Sequence, residues 1–340
     1  MDLNAFATRA VDAELHLFPA SGSGAFSVSP ALVRWVRQSA QAYDVVHVHG
    51  LFNPISSLSA RAALARGRTV VIRPFGTLSR YTFEHRRTAL KRLYFRLIER
   101  HNLREAAALH FTTTSERSEA DWHGIDFSGR AHVVPPPSLA GPPRRRPDSI
   151  GEDSARVLFL GRIDPIKNLE CLLDAWPLVR QKMPTAVLEI AGEGEPSYVR
   201  ALHERAARLG VAGSVAFRGF VTGEKKEKLL SQATIVVLPS LHENFGVAVL
   251  EALEAGAPVL VSPEVQLAEF VRSENAGRVV ESKPEALAEV ILEMIGTEGA
   301  ELRAYARERG PEIVARNFSP QAIGELLSTM YRAAASRSRI

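Results

Sequence analysis

The stretch ATIVVLPSLHENFGVAVLEALEAGAPVLVS, residues 233–262, decides how this chain is read. It opens on a β-branched run, crosses a polar loop, enters a helical pattern near Phe245 and Gly246, and closes on a second apolar run. Strands that are apolar throughout and joined by a helix belong to parallel sheets covered on both faces. The same rhythm recurs in RVLFLG (156–161), AVLEIAGEG (186–194), VAFRGF (215–220) and GRVVE (277–281). Helical patterns such as NLECLLDAWPLVRQK and YVRALHERAARLG lie between them. Ligands on such sheets gather beyond the carboxyl ends of the strands, so the chemistry is expected in the loops that follow these runs.

The front half repeats the pattern less completely, in DVVHVHG (44–50), TVVIRPFG (69–76), ALHFTTTSE (108–116) and AHVVPPP (131–137). A length of 340 residues suits two domains. The expected division is a first domain over 1–137, a Pro- and Arg-rich linker over 138–154, a second domain over 155–317, and a last helix over 318–340 that crosses back to the first. That helix opens on Ser319-Pro320, a cap followed by proline at the first helical position. The first domain begins without the apolar strand and glycine-rich turn that normally open a doubly wound unit, so either an opening strand, loop and helix are expected to be missing or the true start to lie upstream.

Composition excludes several classes. No apolar run approaches the roughly 18–20 residues that span a bilayer, and the N-terminus lacks the basic start and apolar core of a secretory signal. Cys171, the only cysteine, rules out an internal disulfide and falls in a helical core pattern. These features point to the cytoplasm. Residues 1–150 carry 20 Lys and Arg against 12 Asp and Glu, whereas 151–340 carry 22 against 26, so the front half favours an anionic partner.

Glu243 and Glu251 stand eight residues apart across the loop and into the helix. Taken alone they read more readily as two solvent-facing charges on a surface helix. Their context changes the weighing. A helix start offers unpaired N–H groups and the positive end of the dipole, a ready place for phosphate, and Gly246 lets a ligand approach the backbone. An ionised glutamate only accepts hydrogen bonds, so its natural partners are hydroxyls. Hydroxyls on both sides of a diphosphate describe a nucleotide sugar: hexose at Glu243, phosphates at the helix start, ribose at Glu251. The two would lie about 12 Å apart if the interval were wholly helical. LGRIDPIKN, residues 160–168, follows another strand, with Gly161 for the turn and Arg162 and Lys167 as cations for the departing diphosphate.

GRIDPIKNLECLLDAW and PSLHENFGVAVLEALEAGAPVLVS closely resemble the group-one (family four) retaining glycosyltransferases of the GT-B fold, over nearly all of 155–335. The resemblance implies two Rossmann-like domains facing across a cleft, with transfer from a nucleoside-diphosphate sugar to an acceptor hydroxyl. It maps the family's two-glutamate signature onto Glu243 for the donor sugar and Glu251 for the ribose. The backbone of Asn244, Phe245, Gly246 and Val247 would meet sugar and phosphate, and Arg162 and Lys167 match the diphosphate-binding pair. FRGFV (217–221), with Gly219 and Phe220, resembles the nucleobase-side loop. The acceptor implied is a surface polysaccharide or lipid-linked glycan. The front half is similar more loosely. Phe75 stands where many relatives have histidine, and the first glycine-rich loop is absent. His47 is expected in the core and His49, at the strand end, in the cleft.

No Asp-x-Asp occurs, so a metal-bridged diphosphate is not expected; no P-loop occurs, so this is not a P-loop enzyme; and no cofactor-holding lysine motif is seen, so no cofactor is expected. AGEGEP reads as a strand-end turn rather than a dinucleotide fingerprint. A non-catalytic nucleotide-sugar-binding protein is the competing reading, and a phosphorylase on the same fold a third. Finally, RRTALKRLYFRLIERHNLR (86–104) is amphipathic. Leu90, Leu93, Tyr94, Leu97 and Ile98 mark a core-facing stripe beside a basic row of Arg92, Arg96, Arg100 and Arg104. The row reads either as a solvated face or as a surface for an anionic bilayer or a lipid-diphosphate acceptor, and the bilayer contact would make the protein peripheral at the inner membrane face. Nothing supports nucleic-acid binding.

Overall fold

A computed structural model describes residues 13–22, 27–85, 88–138 and 155–337. The chain divides into two compact units, one of Met1–Val133 with Leu327–Ile340, the other of Val134–Leu326. Most of the expected linker and the first twelve residues, where the missing opening strand was expected, lie outside the described residues.

The first unit holds four parallel strands in the order β1 (Val45–His49), β2 (Thr69–Arg73), β3 (Ala108–Phe111) and β4 (Ala131–Val133). Strand β2 is buried on both faces, which is why TVVI shows no polar alternation. The helix Pro54–Leu64 follows β1, capped by the Asn53 side chain accepting from Ile55 N–H and opened by proline. Its buried Ala60, Ala62 and Ala63 let it lie close to the sheet.

The basic stretch corrects an expectation. Leu90, Leu93 and Leu97 are 48%, 54% and 64% exposed, and only Tyr94 and Ile98 of the expected stripe are half-buried. The buried side is instead Phe95, Glu99, Asn102 and Leu103. Two things override the apolar periodicity. A π-helical turn at Phe95–Glu99 shifts the register between the helices Thr88–Tyr94 and Arg100–Glu105. A polar network also claims the inward face: the Glu99 carboxylate accepts from Ser57 Oγ at 2.6 Å and Phe52 N–H at 2.7 Å, and Asn102 Nδ2 donates to the Ser57 carbonyl at 3.0 Å. Phe95 completes that face against Phe83 and His123, with ring centroids 5.8 and 4.6 Å away.

The second unit is a six-stranded parallel sheet built from β5 (Arg156–Leu160), β6 (Val187–Ala191), β7 (Val215–Gly219), β8 (Ile235–Leu238), β9 (Val259–Val261) and β10 (Gly277–Val279). The spatial order is β7-β6-β5-β8-β9-β10, so the chain winds outward one way from β5 and then the other way from β8. This is the doubly wound order 3-2-1-4-5-6, whose direction reverses between β5 and β8. Val157, Leu158, Leu188, Ile235 and Val236 are fully buried, each stabilising the fold by about 1.5–3 kcal/mol relative to exposure. Cys171 is buried with them, as its helical position implies.

Candidate functional site

The reversal between β5 and β8 opens a crevice at the carboxyl ends of those two strands, and the loops that leave them carry the residues singled out from sequence. From β5 the chain turns at Gly161 and runs through Asp164, whose side chain caps the short 3₁₀ turn Pro165–Lys167 by accepting from Ile166 N–H. From β8 it passes Pro239 and Ser240 into residues 241–246. Leu241 N–H donates to the Ile166 carbonyl at 2.8 Å and ties the two loops together.

That tie brings Lys167 against Glu243. Their Nζ and Oε2 form an ion pair with both side chains largely out of solvent. The Glu243 backbone is fixed on both sides: its N–H donates to the Glu264 carbonyl, and its carbonyl accepts from Gln266 N–H, each at 3.1 Å. The carboxylate is therefore aimed by the backbone rather than left to a mobile loop. Lys167 keeps further donors beyond the one Glu243 takes.

Helix Val247–Glu254 begins four residues after Glu243, capped by Gly246 in a left-handed conformation at φ 91° and ψ 58°. A side chain there would be strained, and a Cβ would lie 3.3 Å from Val265 Cγ1 and 3.5 Å from Glu243 Cγ. The glycine lets the chain turn between the carboxylate and the helix start. Phe245 points inward, its ring 5.9 Å from that of Phe318, so only its backbone is offered to a ligand. The Asn244 Oδ1 atom is buried with no hydrogen-bond partner. An orphaned acceptor in a cavity wall is costly unless something polar meets it. Gly161, Lys167, Glu243, Asn244, Phe245, Gly246 and Val247 together line a cavity of 270 Å³. His242 lies beside it, its pKa lowered first by burial and then, against the opposing pull of Glu243, by the Lys167 charge.

The other expected residues do not line this cavity. Arg162 follows Gly161 with an exposed guanidinium, 3.9 Å from Asp164. Phe220 is 66% exposed just beyond Gly219, at the end of β7. Glu251 lies in the second turn of the helix. The interval back to Glu243 is half loop, so a spacing computed for a continuous helix does not apply. Its Oε1 accepts from Lys226 Nζ at 2.9 Å. Lys226 was not singled out from sequence, where it is one lysine in the charged run GEKKEK that opens the helix Gly223–Gln232. Glu254, one turn further, accepts from Ser138 Oγ, and burial raises its pKa, with the Glu251 charge adding to the rise.

The glycines of AGEGEP have a steric role. A Cβ on Gly192 would fall 1.8 Å from the Gly161 carbonyl oxygen, and one on Gly194 1.9 Å from that of Ile163. Gly161 N–H donates to Ala191 O, Ile163 N–H to Glu193 O and Gly192 N–H to Gly219 O, so the loops after β5, β6 and β7 are laced at the same end of the sheet.

In the first unit, His47 is held by Tyr331 OH at 2.8 Å from Nδ1 and His110 Nδ1 at 3.3 Å from Nε2. Burial, then the neighbouring His49 and His110, drives its pKa down to about 3, so it is neutral at ordinary pH. His49 is more open, its ring 5.7 Å from that of Phe75. Phe75 adopts φ 55°, unusual for an aromatic residue. The Arg73 guanidinium lies 4.2 Å from its ring centroid. The Glu116 carboxylate holds the turn by accepting from Gly76 N–H at 2.5 Å and from Thr112 N–H at 2.6 Å.

Comparison with known proteins agrees with this architecture. The family described as Glycosyl transferases group 1 matches residues 143–313, and a Glycosyl transferase 4-like domain matches 3–137. An uncharacterised glycosyltransferase of Methanocaldococcus jannaschii is 38% identical over 145 residues, which is 42% of this chain and 36% of that protein. A D-inositol 3-phosphate glycosyltransferase of Salinispora tropica is 34% identical over 184 residues, 52% of this chain and 37% of the relative. The matches thus span little more than a third of those relatives' lengths. Among solved structures, Anabaena HepE in complex with UDP and glucose superposes with a TM-score of 0.72 at 20% identity, covering 89% of this chain and 81% of that one. Sucrose-phosphate synthase from Thermosynechococcus elongatus gives 0.71 at 20% identity, covering 91% and 78%. The fold is GT-B, and the chain belongs to the group 1 glycosyl transferases.

Proposed function

We propose that this protein transfers a sugar from a nucleoside diphosphate to an acceptor hydroxyl, with retention of anomeric configuration and without a metal ion. The observation that carries the reading is the Lys167–Glu243 pair, fixed beside a helix start that Gly246 leaves open, at the reversal point of the sheet. UDP and glucose bound to Anabaena HepE, a protein of the same fold, support a nucleotide sugar as donor. Glu243 accepts from sugar hydroxyls, the N–H groups at the start of helix Val247–Glu254 receive the diphosphate, and Glu251 accepts from the ribose. Gly219 and Phe220 flank the base.

As the bond from the anomeric carbon to the phosphate oxygen breaks, negative charge grows on the diphosphate. Lys167 and Arg162 lower the barrier by meeting that charge, since fixed donors help most where charge develops. The acceptor oxygen bonds to the anomeric carbon on the face the phosphate leaves, and its proton passes to the departing phosphate oxygen. The acceptor proposed is a growing surface polysaccharide or a lipid-linked glycan.

Thermal-shift screening against UDP, GDP and ADP selects the nucleotide, and the matching nucleotide sugars are then assayed for diphosphate release. The expected result is release with a product of unchanged anomeric configuration, insensitive to chelator, and a fall in kcat on the order of 10²–10³ for Lys167→Ala. Tight calorimetric binding with neither transfer nor donor hydrolysis would establish the alternative, a non-catalytic nucleotide-sugar-binding protein.

A further inference from the structure

The face of the basic helix that the fold leaves outside has its own chemistry. Leu90, Leu93 and Leu97 follow one another at i, i+3 and i+7 and are all about half exposed or more, although nearby Phe95 is buried. Arg92 and Arg96 are exposed on the same stretch and, among the described residues, have no carboxylate partner. Three solvent-facing leucines on consecutive turns are unfavourable for a surface whose only contact is water. The polar network at Glu99 and the seating of Phe95 fix the helix in this orientation, so the leucines cannot rotate inward.

We infer that this face lies on an anionic lipid bilayer, with the leucines entering the acyl boundary and Arg92 and Arg96 meeting lipid phosphates. Charge argues for lipid over a neutral protein groove: the flanking arginines have no carboxylate partner among the described residues, and residues 1–150 carry 20 basic against 12 acidic side chains. A helix with an apolar stripe flanked by arginine lies in the plane of the interface, its apolar side sunk about 5–10 Å. No described helix is long and apolar enough to cross a membrane, so this contact is one of lying on rather than spanning. The inference does not rest on the transfer reaction and is tested without donor or acceptor.

The full chain is sedimented with vesicles of phosphatidylcholine alone or mixed with phosphatidylglycerol, beside Arg92→Gln/Arg96→Gln and Leu93→Ser/Leu97→Ser. Wild type should be retained by the anionic vesicles and not by the neutral ones, and should be released by 1 M salt. The arginine pair should weaken retention about 30-fold, at about fivefold per charge. The leucine pair should abolish retention, with the thermal midpoint unchanged because the side chains replaced are exposed. No retention of wild type, or equal retention of both variants, overturns the inference. So does a concentration-dependent dimer that the leucine pair dissolves without any vesicle binding, which would give the face to a second copy.

Discussion

Replacing Glu251 by alanine tests the nucleotide assignment most sharply. In the structure its carboxylate holds the Lys226 ammonium at 2.9 Å, with side chains 22% and 33% exposed. A pair that open contributes no more than about 1 kcal/mol. Hydrogen bonds from ribose hydroxyls to a carboxylate are charge-assisted and contribute about 1.5–3 kcal/mol. Binding of the ribose is therefore favourable even if it loosens Lys226. Glu251→Ala should raise the nucleoside-diphosphate Kd roughly 10- to 150-fold, and Lys226→Met by less than about fivefold. Calorimetry with the ribo- and the 2′,3′-dideoxynucleoside diphosphate gives the decisive comparison. Wild type should prefer the ribonucleotide by a factor similar to the mutational loss, and Glu251→Ala should bind both alike. If the variant keeps its preference, or its Kd changes less than about threefold, Glu251 does not hold the ribose.

Two further perturbations read the scaffold. His47 is neutral in the folded state down to about pH 3, while an unfolded histidine takes its proton near pH 6.5. Its contribution is therefore present above about pH 6.5 and lost as pH falls, by about 2 kcal/mol between pH 7 and 5, a loss that His47→Gln should remove from urea-denaturation curves at the two pH values. Burial also lowers the pKa values of His49, His123 and His132, so these residues keep a residual slope of the same sign. Gly194→Ala would place a Cβ 1.9 Å from a backbone oxygen, with no side chain able to yield. A loss of about 1–3 kcal/mol in stability and weaker nucleotide binding are expected, and an unchanged thermal midpoint would contradict the lacing of the strand-end loops.

The second unit was legible because its signals are local. A β-branched run, a polar loop and a glycine before an amphipathic pattern identify β8, the 241–246 loop and the following helix from neighbouring residues alone. That Lys167 reaches Glu243, 76 positions on, was not local. It follows from β5 and β8 being adjacent, a consequence of crossovers that no single segment records. Lys226 gave no signal because a run of charges does not show which one faces the site. The basic helix misled for the opposite reason. Its apolar period was clear, but Ser57 and the Phe52 N–H, more than 40 residues earlier, captured Glu99 and turned the leucines outward.

The two glutamates, alike in sequence, are held differently, and the difference suits their proposed tasks. Glu243 sits on backbone bonded to residues 264 and 266, and its carboxylate meets Lys167 in a wall largely closed to water. A group placed that way need not reorganise as charge develops, which is the condition for lowering a barrier. Glu251 projects from a helix toward one flexible lysine and remains partly solvated. It can exchange partners at little cost, which suits a group that binds the nucleotide about equally before and during reaction. Rigidity is thus concentrated where bonds are proposed to change, and compliance where the handle is gripped.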